Sequence, residues 1–543
     1  MVEVEFILLV FSILFIVSIL TDKIGSKLGV PALLLFLLVG MLFGDDGLGL
    51  HFANIGLAQA VGTCALCVIL FSGGMDTNLA TVRPVLWQGV TLATIGVVLM
   101  AGFTGGILWL LGKTSLMAPV ALGSCLLIGS TMSSTDSASV FSVLRSKGIR
   151  LKYNLQPMLE LESGSNDPVA YILTTTMIGI VKMEVHQSVW GIIGTVILQI
   201  VVGALLGYLL GIMLVWFVNK VSISNRSLYP ILVLASCIFI FSVTYYLKGN
   251  PYLAVYIGGL MFGNSKFVHK TSTLGFFDGI SWLCQLVMFL TLGLLVNPSE
   301  MISNGVWLPA IILSVIMIFL ARPLSTYICL LPWRKSLPFN ARLFVSWVGL
   351  RGASPIIFAI LCVAASVPRG EIIFNIVFFC TLISLLVQGT SLSAMARLLK
   401  VDLPPLKKHN IKINGEVDLM EEVKSVSVEI LIIDEMLRAG NQLMDLGLPH
   451  ETLAILVRRP RVNTAGEVLF VPTGRTELQV GDHLLVIGND KTVLNNLKET
   501  LIEHADVHKL PARSLLENIP QWPVKYLRMI KEKLLSLKRK KEQ

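Results

Sequence analysis

The chain has 543 residues, of which 54% are hydrophobic and 14% are charged. This balance excludes a soluble globular protein and a disordered one, and it is typical of an integral membrane protein. The net charge of +9 comes largely from loops and from the C-terminal tail, so it gives no argument for nucleic-acid binding. No cluster of metal-ligating residues falls within the apolar segments, and we predict that the chain is not an enzyme.

Apolar segments bounded by Gly, Pro or charged residues predict an all-α, multi-pass protein with about thirteen transmembrane helices. Lys and Arg are concentrated in the loops that follow the odd-numbered segments. The positive-inside rule therefore places the N-terminus outside and the C-terminal region in the cytoplasm, and we expect a bacterial inner membrane. The segments are 5–21, 30–44, 54–73, 84–111, 117–144, 155–181, 188–218, 227–247, 251–263, 276–296, 305–331, 338–364 and 371–398.

The fifth and twelfth segments contain polar or glycine-rich runs, Gly129–Ser139 and Trp347–Pro355. Non-helical backbone at membrane depth is tolerated only where it is buried in protein or lines a cavity, so we predict two broken helices that cross. Their offset of seven segments is the one expected of two inverted repeats, in which paired broken helices mark a transport site. At the crossing, Asp136 would neutralise N-terminal half-helix ends and Arg351 C-terminal ends. For Thr135 and Asp136, helix capping in a re-entrant loop is an alternative that is compatible with ion binding.

The sixth segment, 155–181, carries a carboxylate in mid-membrane. Asp167 lies twelve residues inside it. At about 1.5 Å per residue this is roughly 18 Å deep, near the middle of a hydrocarbon layer of about 30 Å. A charge at that depth is a functional-site hypothesis. Ser163 shares a helix face with Asp167, and Glu162 shares one with Asn166. These residue types resemble an oxygen cage for a hard cation, and a buried structural carboxylate pair is the alternative.

The eleventh segment contains one more charge, Arg322. An arginine at this depth needs a partner, and Glu162 is the carboxylate that the ion site does not use. We predict a structural ion pair that braces the sixth segment against the eleventh. Snorkelling of Arg322 toward the cytoplasmic face is the alternative.

The sequence resembles the monovalent cation:proton antiporter-1 family, which includes the prokaryotic NhaP proteins and the animal sodium/proton exchangers. The resemblance covers residues 1–400 and is carried by Thr135-Asp136, Glu162-Ser163, Asn166-Asp167-Pro168, Arg322-Pro323 and Gly349-Leu-Arg-Gly-Ala353.

This resemblance implies a homodimer whose core domain moves like an elevator. It also implies that Asp167 takes either a proton or a cation, K⁺ or Na⁺, with Thr135 and Ser163 as further ligands. The Asn166-Asp167 pair implies electroneutral exchange. Many relatives have an acidic residue where this chain has Ser72.

Proton coupling also follows from the carboxylate itself. A carboxylate that must lose its proton to bind a cation makes the two ligands competitors, and burial disfavours its ionised form, so that both occupancies are reachable. Coupled antiport results if the core moves readily only with one partner bound. A cation channel gated by the cytosolic domain is an alternative of a different class. It would need a pore-lining filter such as Thr-Val-Gly-Tyr-Gly, and the sequence contains none.

After Lys400 the composition changes. We predict a linker over 401–422 and a small cytosolic α/β unit over 423–500. The patterns predict strands at 425–433, 452–457, 468–471 and 483–487 and helices at 436–446 and 491–501.

This unit resembles the C-terminal lobe of regulator-of-potassium-conductance (RCK_C, TrkA-C) domains. The matching residues are Leu446-Gly-Leu-Pro449, Val457-Arg-Arg459, Val471-Pro472 and Leu478–Val486. The resemblance implies a lobe that dimerises and binds a small effector, cyclic di-AMP being one such nucleotide; a lobe that only stabilises the dimer is the alternative. Antiporters with such a lobe tend to exchange K⁺ for H⁺, so we favour K⁺ over Na⁺ and expect no other cofactor.

The last predicted segment is a basic amphipathic tail, 501–543. Eight basic side chains lie between Lys525 and Lys541, interleaved with Leu, Ile, Met and Tyr. Such a helix binds the anionic lipids of an inner leaflet. A solvated basic tail is the alternative.

Overall fold

A computed structural model shows two compact units, residues 1–410 and 411–543, and each is described by itself. The described residues are 9, 12–20, 31–50, 52, 54–113, 121–136, 140, 141, 143, 144, 147, 149–182, 188–303, 305–403, 427–449, 452–460, 467–488, 494 and 496–507.

The first unit is mainly helical, as the composition predicts. Among its described residues, seven helices are long and apolar enough to cross a membrane, and three shorter apolar helices accompany them. Residues 12–20 and Pro298–Ser303 are also helical. The predicted total of thirteen transmembrane helices stays a prediction. The principal helices are α1 (Ala32–Phe43), α2 (Ile55–Asp76), α3 (Leu79–Leu111), α4 (Leu122–Thr131), α5 (Leu155–Val181), α6 (Val189–Lys220), α7 (Leu228–Tyr246), α8 (Pro251–Asn264), α9 (Lys270–Leu294), α10 (Trp307–Trp333), α11 (Phe339–Trp347), α12 (Ala353–Ala364) and α13 (Gly370–Leu398).

Helix α5 coincides with the predicted segment 155–181. Its 27 residues span about 40 Å at 1.5 Å per residue, which is enough to cross a bilayer. It is nevertheless not one of the seven apolar helices, because polar side chains interrupt its hydrophobic sequence. Hydropathy alone therefore does not identify the helix that carries Asp167.

Both predicted interruptions are present. Residues 132–136 after α4 are not helical, and neither are residues 348–352 between α11 and α12. The backbone N–H of Asp136 donates to the carbonyl of Leu350 at 2.8 Å, so the two interruptions meet. The end of the predicted polar run, 137–139, lies outside the described residues.

The helices pack in two sets. The first set comprises α1, α2, α6, α7, α8 and α9, and the second comprises α3, α4, α5, α10, α11, α12 and α13. Glycines allow close approach within the first set: a Cβ at Gly259 of α8 would lie 2.2 Å from the carbonyl oxygen of Phe71 in α2. A larger residue there would force the two helices apart.

A short antiparallel pairing joins the end of the last helix to the start of α5. Strand β1 (Arg150–Leu151) pairs with strand β2 (Asp402–Leu403), and the N–H of Lys152 donates to the carbonyl of Val401 at 2.8 Å. The first residues of the predicted linker are therefore bound to the chain that leads into α5. The rest of the linker, from residue 404, lies outside the described residues.

The second unit contains an antiparallel sheet in the order β3-β6-β4-β5 and a helix, α14 (Leu497–Val507). The four predicted strands are confirmed, whereas its likeness to an RCK_C lobe stays a prediction. Residues beyond 507, including most of the predicted tail, lie outside the described part. The strands are β3 (Ser427–Leu431), β4 (Thr452–Pro460), β5 (Glu467–Phe470) and β6 (His483–Gly488).

The predicted helix over 436–446 is wrong. This stretch forms two 3₁₀ turns, Asp434–Leu437 and Leu443–Leu446. Gly440 between them has a φ of +155°, which no helix accommodates. Gln442 then makes a reciprocal cap with Asp445, and the chain starts a new turn instead of continuing the old one.

Candidate functional site

Asp167 lies in the middle of α5 with its side chain buried, only 7% exposed. The hydroxyl of Ser134 donates to Oδ1 of Asp167, and the hydroxyl of Ser354 donates to Oδ2 at 2.8 Å. Ser134 belongs to the interruption after α4, and Ser354 lies in the first turn of α12. Both broken helices therefore bind the same carboxylate.

Three other residues predicted for the ion site contact one another next to Asp167. The hydroxyl of Ser163 donates to the carbonyl of Thr135 at 2.9 Å, and the amide nitrogen of Asn166 contacts the Thr135 hydroxyl. The Oδ1 of Asn166 is buried and has no hydrogen-bond partner in the described part of the chain. Buried acceptors are normally paired, so this oxygen remains available to a ligand.

Opposite charges lie at the two half-helix ends. Arg351, which is 1% exposed, donates from its guanidinium to the carbonyl of Ser134, just beyond the C-terminal end of α4. Asp136 lies against Gly352, the residue that precedes α12, where an added Cβ would be 2.6 Å from the Asp136 Oδ2. The structure therefore places the positive guanidinium of Arg351 at a helix C-terminal end and the negative carboxylate of Asp136 near a helix N-terminus. Each charge is favourable at the end where it lies.

We expect Gly352→Ala to slow transport by about ten-fold or more, because the new methyl group would displace Asp136 and shift the crossing. The Gly352 backbone has a φ of −100°, so the expected effect is steric. The measurement is the initial rate of exchange in vesicles. Gly106→Ala is the matched control, since a Cβ at Gly106 meets nothing within 4 Å. Equal rates in the two variants would contradict the prediction.

The structure also brings Glu162 and Arg322 together. Their closest N–O distance is 2.6 Å, and the side chains are 2% and 4% exposed. Gly349 gives the arginine room, because a Cβ there would lie 2.6 Å from Nε of Arg322. The pair links α5 to α10 and leaves Asp167 to the two serines.

A cavity of about 680 Å³ reaches Asp167 between the two helix sets. Among the described residues that line it, five are acidic and none is basic. A low-dielectric cleft lined by one sign of charge concentrates ions of the opposite sign. The cavity therefore favours cations. Its acidic side chains are those of Asp76, Asp136, Glu160, Asp167 and Asp278.

Sequence reasoning missed several of these residues. Ser134 and Ser354 fall within the two polar runs that predicted the broken helices, but the pattern does not say which hydroxyl binds Asp167. Asp76 lies one helical turn after Ser72, and both line the cavity. An acidic group is therefore present here, one turn beyond the position that the resemblance implies.

Comparison with known proteins finds similarity to cation/proton exchangers and antiporters. A family model described as "Sodium/hydrogen exchanger, transmembrane" matches residues 11–398. The K(+)/H(+) antiporter NhaP2 of Shewanella sp. (strain ANA-3) is 40% identical over 497 residues, which cover 90% of this chain and 82% of that protein. The K(+)/H(+) antiporter NhaP of Alkalimonas amylolytica is 40% identical over 406 residues, covering 74% and 68%.

A solved structure has a similar fold. The sodium proton antiporter MjNhaP1 from Methanocaldococcus jannaschii, determined at pH 8, aligns with a TM-score of 0.59 and 21% identity. The alignment covers 71% of this chain and 99% of the other. At this identity the likeness shows the fold alone.

Proposed function

Because the chain belongs to the sodium/hydrogen exchanger family of transmembrane cation/proton antiporters, we propose that it exchanges K⁺ for H⁺ across a bacterial inner membrane. One observation carries the proposal: a buried carboxylate, Asp167, joins two broken helices at the end of an acidic cavity. The K⁺/H⁺ activity in the names of relatives 40% identical supports K⁺. Na⁺/H⁺ exchange on the same fold is the alternative.

In this proposal Asp167 holds one ligand at a time. With a proton bound it is neutral; after the proton leaves, its charge attracts the cation. Hydroxyl groups rotate, so the oxygens of Ser134 and Ser354 that now donate to the carboxylate are able to turn lone pairs toward a cation. The proposed ligands are Asp167, Ser163 and Thr135, which the hydroxyls of Ser134 and Ser354 would join, with Asn166 and Asp136 beside them. A single carboxylate that binds one cation or one proton supports electroneutral exchange.

Alternating access is the second part of the proposal. The cavity lies where α2 ends and α5 begins, and α13 ends on this same side if each helix crosses once. The positive-inside rule makes this side cytoplasmic, so this conformation is the inward-facing one. The family resemblance supports a homodimer, and the RCK_C-like sequence of the second unit supports regulation by a small effector such as a cyclic dinucleotide.

The test is proton movement in reconstituted vesicles that contain a pH-sensitive dye. We expect addition of K⁺ to release protons from acid-loaded vesicles at a rate that does not depend on membrane potential. Na⁺ is expected to act more weakly, and choline not at all. Cation flux without proton flux would indicate a channel and would refute the proposal, and a stronger response to Na⁺ would support the alternative cation.

A further inference from the structure

Helix α8 contacts α5 immediately beyond Asp167. The α5 residues that line the cavity are Glu160, Ser163, Gly164 and Asp167. At the next residue, the Pro168 carbonyl accepts a hydrogen bond from Nδ2 of Asn250 at 2.7 Å. One turn further, the rings of Tyr171 and Tyr252 pack edge to face with centroids 4.8 Å apart. The cavity therefore ends at Asp167, and on the other side of this residue α5 and α8 are in direct contact.

Asn250 is held rigidly by the first helix set. It is 1% exposed, and its Oδ1 caps α8 by accepting from the N–H groups of Tyr252 and Leu253 at 3.1 and 3.2 Å. The backbone N–H of Asn250 donates to the carbonyl of Gln199 in α6 at 3.0 Å. Because the oxygen is engaged by two donors, the amide nitrogen must face Pro168.

The backbone of α6 also fits closely around this residue. A Cβ at Gly203 would lie 2.7 Å from the carbonyl oxygen of Asn250, so the first set fixes Asn250 on two sides. Pro168, in contrast, belongs to α5 and therefore to the second set. The Asn250–Pro168 hydrogen bond therefore joins the two sets one residue from the site.

We propose that Asn250 is a positioning residue that closes the pathway on the far side of Asp167, and that its hydrogen bond to Pro168 breaks each time the site turns to that side. This inference rests on the proposed alternating access. The helical pattern pairs the Pro168 carbonyl with the Ile172 N–H as well, so breaking the Asn250 bond leaves no orphaned carbonyl. The bond therefore favours the cavity-open conformation without locking it.

The test compares the KM for K⁺ at the two membrane faces, measured in everted and right-side-out vesicles. Asn250→Ser keeps a helix cap, because serine is a good N-cap residue, but its shorter side chain does not reach Pro168. Loss of the hydrogen bond lowers the population of the cavity-open conformation, and a less populated conformation has a higher apparent KM on the membrane face to which it opens. We expect the ratio of cavity-side to far-side KM to rise about five-fold, the shift that one buried hydrogen bond produces.

Two further variants complete the design. Asn250→Asp keeps the cap but turns an acceptor toward the Pro168 carbonyl. It should therefore raise the KM ratio further than the serine variant does. If the serine variant does not accumulate in the membrane, the aspartate variant tests the inference alone. Asn54→Ser is the matched control, since Asn54 also caps a helix, α2, where its Oδ1 accepts from the N–H of Leu57 at 2.9 Å. It should leave the ratio unchanged.

An unchanged ratio in an Asn250 variant that still exchanges would overturn the inference and leave Asn250 as a helix cap only. Loss of thermal stability without a change in the ratio would lead to the same conclusion. Failure of the unaltered protein to exchange cations for protons would instead refute the proposed function, so the two failures are distinguishable.

Discussion

Asp167→Asn is expected to abolish proton-coupled cation exchange while leaving the protein folded. The amide neither releases a proton nor supplies the negative charge that a cation needs. It is close to the carboxylate in size and keeps hydrogen-bonding groups for Ser134 and Ser354. Replacing a buried ionisable group by a neutral one removes a desolvation cost, so the melting temperature should be unchanged or higher.

The measurement pairs the exchange rate in vesicles with the melting temperature of the purified protein. Asp278→Asn is the matched control because it removes the same charge from the exposed wall of the same cavity. This variant should still exchange, with a higher KM, since it weakens only the attraction of cations to the cavity. Exchange that persists in Asp167→Asn would refute the site assignment.

Arg322→Ala is expected to destabilise the protein strongly. It would leave the Glu162 carboxylate buried, 2% exposed, and without its guanidinium partner. Removing one member of a buried ion pair typically costs about 3–5 kcal/mol. The expected result is a clearly lower melting temperature and poor accumulation in the membrane, with a smaller effect on the KM for cations in the protein that does fold.

Two comparisons separate this effect from the mere loss of an arginine. The double variant Glu162→Gln/Arg322→Met removes both charges and should be more stable than Arg322→Ala, because no unpaired charge remains buried. Arg397→Ala removes an exposed arginine from the last turn of α13 and should have little effect on stability. A melting temperature for Arg322→Ala equal to that of the unaltered protein would show that the pair does not stabilise the fold.

Much of the fold was predictable because it depends on local properties of the chain. Apolar runs together with the Gly, Pro and charged residues that bound them predict helices, and the segment 155–181, predicted in this way, has the observed bounds of α5. Polar runs at membrane depth indicated both interruptions. The wrong prediction of a helix over 436–446 has a local cause as well. It followed the hydrophobic spacing of this stretch, whereas Gly440 and the cap between Gln442 and Asp445 interrupt the helix there.

The site was predictable in part. A carboxylate halfway along the predicted segment 155–181 is visible in sequence, and so is the need of Arg322 for an acidic partner. The hydroxyl groups on Asp167 were not predictable, because Ser134 and Ser354 lie 33 and 187 residues away along the chain. No periodicity reaches over such distances.

The sequence by itself determined which segments are helical, where two of them are interrupted and that Asp167 lies near the middle of α5, because hydrophobic patterning and helix geometry depend on neighbouring residues. Only the tertiary structure decided which serines hold Asp167, that acidic side chains from separate helices share one cavity, and that Asn250 meets Pro168. These contacts depend on how the two helix sets pack against each other, and packing joins residues that are remote in sequence.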